Sequence, residues 1–315
     1  MEPSRNPTVG SMILRSKAGM PCSNRRSLLR NSPSPMRHGR MICPTLNRRS
    51  GKKCECELWS GANFAVNRSK EMASNIQDQV NLALRLAQRA VDYMEIQNVM
   101  ARHVYCFMAQ KQWEELDTVW ARRVPDIAYG HDAGFVVGQE KVRNYYGGMN
   151  ERQRQNKLEI MSKLYPDVKN VKENEGIGDL VMFPVSTPCI EIAGDGKTAK
   201  GVWFSQAMGC EIGHDGKPMV FGFWGREGVD FIKEDGKWKI WHLLLTGDIN
   251  YRQDQSWVDN MNPPFVRTVP DEQTMVHDLT RKVPHRHYSN KTLPQDDPKL
   301  PEPYETWDES ISYLK

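Results

Sequence analysis

Residues Val229–Asp248 read VDFIKEDGKWKIWHLLLTGD. Asp235-Gly236 stands between two runs that alternate apolar and polar residues, which is the strongest short-range signal for a two-residue hairpin. A turn there sets Lys233 opposite Trp238, Phe231 opposite Ile240 and Val229 opposite His242. Directly opposed residues share a face. Val229, Phe231, Trp238, Ile240, His242, Leu244, Thr246 and Asp248 are therefore expected on one apolar face. His242 has two readings: a core or edge histidine with its nitrogens satisfied by backbone, or a general acid-base lining an apolar cavity, oriented by Asp248.

Working back from this hairpin, the period stays at two. Met219 to Lys233 is one long strand, His214-Asp215-Gly216 turns, Thr198 to Ile212 returns, and Cys189-Ile190-Glu191-Ile192 precedes a Gly-Asp-Gly turn. Together these predict a four-stranded antiparallel meander. Before it the pattern is helical. From Asn75, Ile76, Val80, Ala83, Ala87, Ala90 and Met94 recur at three- and four-residue steps, then Ile96, Val99, Met100, His103 and Phe107 continue on a second face. Trp113, Leu116 and Trp120 mark a shorter helix ended before Pro125. Pro125 to Val137 reads as strand and turn. Gly138-Gln139-Glu140 opens another helix, carrying Val142, Tyr145 and Tyr146, with Gly147-Gly148 as its close. Residues 151–175 are charged and read as a helical or irregular connection. Helices followed by a curved meander predict an α+β architecture.

The 315 residues carry a formal charge of +4, but residues 1–71 hold 14 Lys and Arg against 4 Asp and Glu, leaving 29 against 35 in the remainder. The body is mildly acidic, so no nucleic-acid surface is indicated. No run of about 18 apolar residues predicts a membrane span. Seven scattered cysteines do not make a secreted disulfide framework, and Cys43, Cys54 and Cys56 lack zinc spacing. A reducing cytoplasm is the expected compartment. Residues 1–71, rich in Arg, Ser, Pro and Met, read as a disordered basic extension. Their composition also fits an organellar transit peptide. A third reading is that they are not translated in nature: Arg68-Ser69 encoded as AGG-AGY would hold a bacterial ribosome-binding sequence ahead of an ATG at Met72. A native peptide from residues 1–60 would exclude that reading. Residues 72–250 form the expected domain. Residues 251–315, with eight of the 19 prolines after Asn262 and the aromatic stretch Pro301–Trp307, read as an extended strap over a neighbouring subunit or over a cavity mouth.

Three segments taken together, IQNVMARHVYCFMAQKQWEELDTVW, GQEKVRNYYGG, and TPCIEIAGDGKTAKGVWFSQ with VDFIKEDGKWKIWHL, resemble the SnoaL-like branch of the nuclear transport factor 2-like superfamily. That branch includes polyketide cyclases, scytalone dehydratase and bile acid dehydratase. The resemblance covers about residues 76–250. It implies a cone in which a bent antiparallel sheet wraps the helices and encloses a deep apolar pocket, and it implies a homo-oligomer, dimer or trimer. It also implies a cofactor-independent lyase or isomerase acting by proton transfer on a hydrophobic oxygenated polycyclic or aromatic molecule. The alternative is a non-catalytic protein of the same fold that binds such a ligand.

In dehydratases of this kind a tyrosine near the end of the helix is followed five residues later by an aspartate, and a histidine precedes the "IEI" segment. The tyrosine matches Tyr105, but Gln110 and Phe183 stand at the other two positions. The expected catalytic candidates are thus Tyr105, as a donor to an enolate, with His103, His242 and Asp248. Each has a structural reading as packed core. Gln110, His131, Tyr145, Phe183, Trp203, Phe223 and Trp224 are the expected pocket residues. His131-Asp132 falls where it could border the pocket mouth, but reads more readily as a solvated turn. No phosphate loop, nucleotide fingerprint or metal triad is present, and no cofactor is expected.

Overall fold

The computed structural model describes residues 61–256 and 277–315. The expectations for residues 1–60, including Cys43, Cys54 and Cys56, lie outside the described residues, as do those for residues 257–276.

Helix α1 (Gly61–Met108) is one continuous helix of 48 residues. It starts 14 residues before Asn75 and carries both apolar faces that the sequence suggests. Only the second face docks. Ile76, Val80 and Met94 are exposed, whereas Ile96, Met100, His103 and Val104 are buried. Docking begins where Arg89 donates to Ile192 O (2.7 Å) and Asp92 accepts from Lys233 Nζ (2.7 Å) and Trp238 Nε1 (3.0 Å). Helix α2 (Gln112–Thr118) follows, then the hairpin β1 (Ala128–His131) and β2 (Gly134–Val137).

The next helix does not close at Gly147-Gly148. α3 (Gln139–Val142) runs through a π-helical segment (Arg143–Met149) into α4 (Asn150–Leu164). A Cβ on Gly147 would stand 3.1 Å from Leu116 and Trp113, so this glycine serves a close helix–helix approach rather than a helix end. The charged residues after 150 are thereby helical as far as Leu164, and irregular beyond it apart from a 3-10 turn at Lys172–Asn174.

The meander is as expected and is extended on both sides. β4 (Val185–Ile192), β5 (Thr198–Ile212), β6 (Pro218–Glu234) and β7 (Lys237–Arg252) pair antiparallel in sequence. β3 (Leu180–Met182) adds to β5, β1 joins β7 in parallel, and β8 (Leu279–Thr280) pairs with β2. The strand order is β3-β5-β6-β7-β1-β2-β8. At the central turn Asp235 and Gly236 both have positive φ (50° and 73°), the geometry that matches the twist of the flanking strands.

The register of that hairpin changes partway along. Lys233 faces Trp238 and Phe231 faces Ile240 as expected, but the next pair is Asp230 with His242, leaving Trp241 as an extra residue on β7. This bulge puts Val229 opposite Leu243. A one-residue offset in a period of two sends every following side chain to the other face. His242, Leu244, Thr246 and Asp248 therefore do not share the face of Val229 and Ile240. A second irregularity, between Trp224 and Gly225, makes Asp248 an extra residue as well.

Two cores result. On the helix side, Ile96, Met100, Leu116, Trp120 and Tyr146 pack against Trp203, Val229, Phe231, Ile240 and Leu243. On the other side, Ala128, Phe135, Val202 and Leu244 are covered by Tyr313, with Leu314 beside it. The C-terminal strap thus packs on this chain's own sheet, and its segment near His277 and His287 also borders the cavity described next.

Candidate active site

Between the end of α1, α4, the β1–β2 turn and the helix side of β5–β7 lies a cavity of about 670 Å³. One wall is aromatic. Phe183 sits 5.3 Å from Phe107 and stacks on Phe223 at 6.0 Å between ring centroids. The residue standing where a dehydratase histidine is expected therefore supplies apolar packing. Gln110, at the aspartate position, has φ 58° at the C-terminal end of α1 and also lines the cavity. Its amide packs directly on Gly176: a Cβ there would fall 1.9 Å from Gln110 Oε1 and make the side chain move. Tyr145, His131, Phe223 and Leu245 complete this part of the lining.

A second wall is polar. Asp132, in the β1–β2 turn, accepts from Gly247 N (2.8 Å) and pairs with His287 Nε2 (3.0 Å). Because a carboxylate only accepts, the Nε2 proton belongs on the His287 ring, and a neutral ring then carries its lone pair on Nδ1. Arg154 and Lys157 extend from α4. Lys157 meets Asp179 at 3.1 Å and Glu211 at 4.0 Å. Arg154 donates to Gln112 Oε1 at 3.0 Å, and burial pulls its pKa below the ordinary value against the influence of Glu175, Glu151 and Asp179.

His103 is buried beside the cavity floor, one turn before the cavity-lining Phe107. Its Nδ1 meets Glu115 Oε1 at 2.7 Å and its Nε2 lies 3.6 Å from Glu227 Oε2. Glu115 also accepts from Trp120 Nε1 and Tyr146 Oη, each at 2.8 Å. Burial pulls the His103 pKa down, but the charge and hydrogen bond of Glu115, with Glu227 behind it, outweigh this and hold it at about 9. Burial raises Glu227, and burial with the neighbouring Glu115 charge raises Tyr146 well above the ordinary phenol value.

The remaining candidates lie elsewhere. Tyr105 is 72% exposed on the outside of α1. Trp203 is core, donating to Gln97 at 3.4 Å, and Trp224 is exposed. His242 lies beneath the strap: its Nδ1 meets Asp230 Oδ2 (3.0 Å), which also accepts from Ser312 Oγ (2.8 Å) and Tyr313 N (3.0 Å), while Lys200 bonds the other oxygen at 2.5 Å. Asp248 is held by Arg226 at 2.8 and 3.1 Å and by His285 at 3.2 Å. The Trp241 bulge is why neither His242 nor Asp248 lines the cavity. Sequence reading passed over Glu115, Glu227, Arg154 and His287. Glu227 alone had a signal: counting back by twos from Phe231 puts it on the core face. His287 had none, because its chain segment has no period.

The cone of helices in a bent sheet, enclosing a part-aromatic cavity, defines the nuclear transport factor 2-like class of α+β protein. Residues 88–243 match the model of the SnoaL-like domain, and this stretch is a SnoaL-like domain. No curated protein matches the chain. Similar solved structures include a protein from Novosphingobium aromaticivorans provisionally assigned as a scytalone dehydratase (14% identity, 52% of this chain and 88% of that one, TM-score 0.38). Another is a hexachlorocyclohexane dehydrochlorinase, LinA-type3, from Novosphingobium barchaimii (9%, 53% and 94%, 0.37). A third is a nuclear transport factor 2-like superfamily protein from Salmonella enterica (15%, 50% and 92%, 0.36).

Proposed function

We propose that the protein is a cofactor-independent lyase or isomerase, of dehydratase or cyclase type, that moves a proton on a hydrophobic oxygenated aromatic or polycyclic molecule. The observation that supports it is the Asp132–His287 pair (3.0 Å) on the wall of a cavity whose other side is Phe107, Phe183 and Phe223. Asp132 holds the imidazole with Nδ1 as the base. That nitrogen removes a proton alpha to a substrate carbonyl, and the ring then returns it to a departing hydroxyl, releasing water, or to another carbon. The amides of Gln110 and Gln112 supply hydrogen bonds to the enolate oxygen. In this reading Tyr105, His242 and Asp248 take no direct part, and His103 with Glu115 secures the cavity floor.

Incubation with a panel of hydroxylated aromatic and polycyclic ketones, followed by mass spectrometry for loss of water or for deuterium uptake from heavy water, tests it. His287→Ala and Asp132→Asn are expected to slow turnover about 100-fold or more, and Tyr105→Phe to leave it unchanged. Full turnover in His287→Ala would defeat the assignment. The competing reading, a binding protein without catalysis, is favoured by Gln110 and Phe183 at the two positions where the resemblance expects Asp and His. It predicts ligand binding with no deuterium uptake.

The proposal includes a cytoplasmic homo-oligomer, dimer or trimer. No helix among the described residues is long and apolar enough to cross a membrane, and Cys106, Cys189 and Cys210 are unpaired. Exposed Ile76, Val80, Leu84 and Met94 on α1 support association. Light scattering that gives a monomer mass would remove it.

A further inference from the structure

Three carboxylates and two fixed cations line the cavity, and they are paired unevenly. Asp179 and Glu211 face Lys157, and Asp132 faces His287. Arg154 touches none of the three carboxylates directly. It is 9% exposed and lines the cavity. Its NH1 donates to the neutral amide of Gln112 at 3.0 Å, and among the described residues no carboxylate lies within 4.0 Å of the guanidinium. Glu151, three residues earlier on the same helix, is bonded instead to Lys172 (3.1 Å) and Trp113 (3.1 Å).

A guanidinium presents five N–H donors in a planar fork that matches a carboxylate two bonds at a time. Burying one against a single neutral acceptor is costly unless an anion completes it. Lys157, three residues further along α4, shows how this wall treats a cation that it neutralises itself. Arg154 is treated differently. A ligand carboxylate would give its fork the direct two-bond partner that the wall does not, with the ligand's apolar part against the Phe107–Phe183–Phe223 wall.

We propose that the cavity selects aromatic or polycyclic carboxylates, with the carboxylate received by Arg154 and the rings against the aromatic wall. This rests on the reading above that the cavity is the substrate site, and it narrows the substrate to an acid. The uncharged oxygenated part of such a molecule remains for the Asp132–His287 side.

Calorimetric titration of the full chain at neutral pH with 2-naphthoate, 2-naphthamide and 2-naphthol tests it without turnover. The wild-type protein is expected to bind the naphthoate about tenfold or more tightly than either neutral analogue. Arg154→Gln is expected to bring the three within about twofold, and Arg154→Lys to keep part of the preference. Equal binding of naphthoate and naphthamide by the wild type overturns the carboxylate assignment and leaves the cavity reading intact. An undiminished preference in folded Arg154→Gln overturns it too. Absence of binding by all three compounds defeats the cavity reading and this inference together. If Arg154→Gln does not fold, the wild-type comparison and Arg154→Lys still decide.

Discussion

Glu115 carries more of the interior than any candidate taken from sequence patterns. It accepts from His103, Trp120 and Tyr146, which come from α1, the end of α2 and the π-helical turn. Glu115→Gln would leave His103 Nδ1 facing a neutral amide, with only Glu227, 3.6 Å from Nε2, to offset its charge. Breaking a buried pair in this way costs about 3–5 kcal/mol, measurable by urea denaturation. The sign with pH follows from His103, raised from 6.5 to about 9. Its contribution is complete below 6.5 and is lost as pH rises through about 9. That alkaline loss of global stability is expected in the wild type and absent in Glu115→Gln. A variant as stable as wild type at pH 7 would show that Glu115 has no such role.

At the scale of elements, the strap is fastened by a charge relay. His285 joins Asp248 (3.2 Å) to Asp297 (2.9 Å), Arg281 grips Asp297 at 2.6 and 3.0 Å, and Arg226 reaches from β6 to Asp248 and to Gln295 O (3.0 Å). Burial lowers the His285 pKa, but its bonds to Asp248 and Asp297, with Asp132 further off, raise it from 6.5 to about 9. Burial raises Asp297, but its bonds to His285 and Arg281 lower it from 3.8 to about 2. The fastening is therefore complete between 3.8 and 6.5. It weakens as pH rises through about 9 and again as it falls through about 2. Hydrogen exchange, corrected for intrinsic rates, is expected to show falling protection at the Tyr313 amide as pH rises from 7 to 10. His285→Asn should lower that protection at pH 7 and flatten its pH dependence. Unchanged protection across that range would contradict the relay.

At the scale of the whole molecule, the sheet is coated on both faces, by helices on one and by its own C-terminus on the other. Removing residues 277–315 takes away β8, uncovers Leu244 and Phe135, and strips Asp230 of Ser312 Oγ and Tyr313 N. The truncated chain is expected to melt about 10 °C lower or to aggregate, since each kcal/mol lost shifts a domain of this size by about 2–4 °C. An unchanged melting temperature would show that the strap is only peripheral.

The sequence by itself determined the meander, the turn at Asp235-Gly236, the α+β class and the family, because these depend on local periodicity and turn chemistry, which neighbouring residues carry. Of the residues expected at a pocket, Gln110, His131, Tyr145, Phe183 and Phe223 line one cavity, whereas Trp203 is core and Trp224 is exposed. Tertiary structure alone decided the faces of His242 and Asp248. Both faces of β7 are covered here, so Ile240–Leu244 is a continuous buried run without alternation, and nothing in WHLLLTGD marks where the register shifts. It alone decided which half of α1 docks, since both halves are amphipathic and only the reach of the sheet distinguishes them. The pairing of Asp132 with His287 joins residues 155 positions apart, and the contact of Arg154 with a neutral amide, while Lys157 takes the nearby carboxylates, is visible only in three dimensions. Long-range juxtaposition of this kind leaves no trace in local sequence.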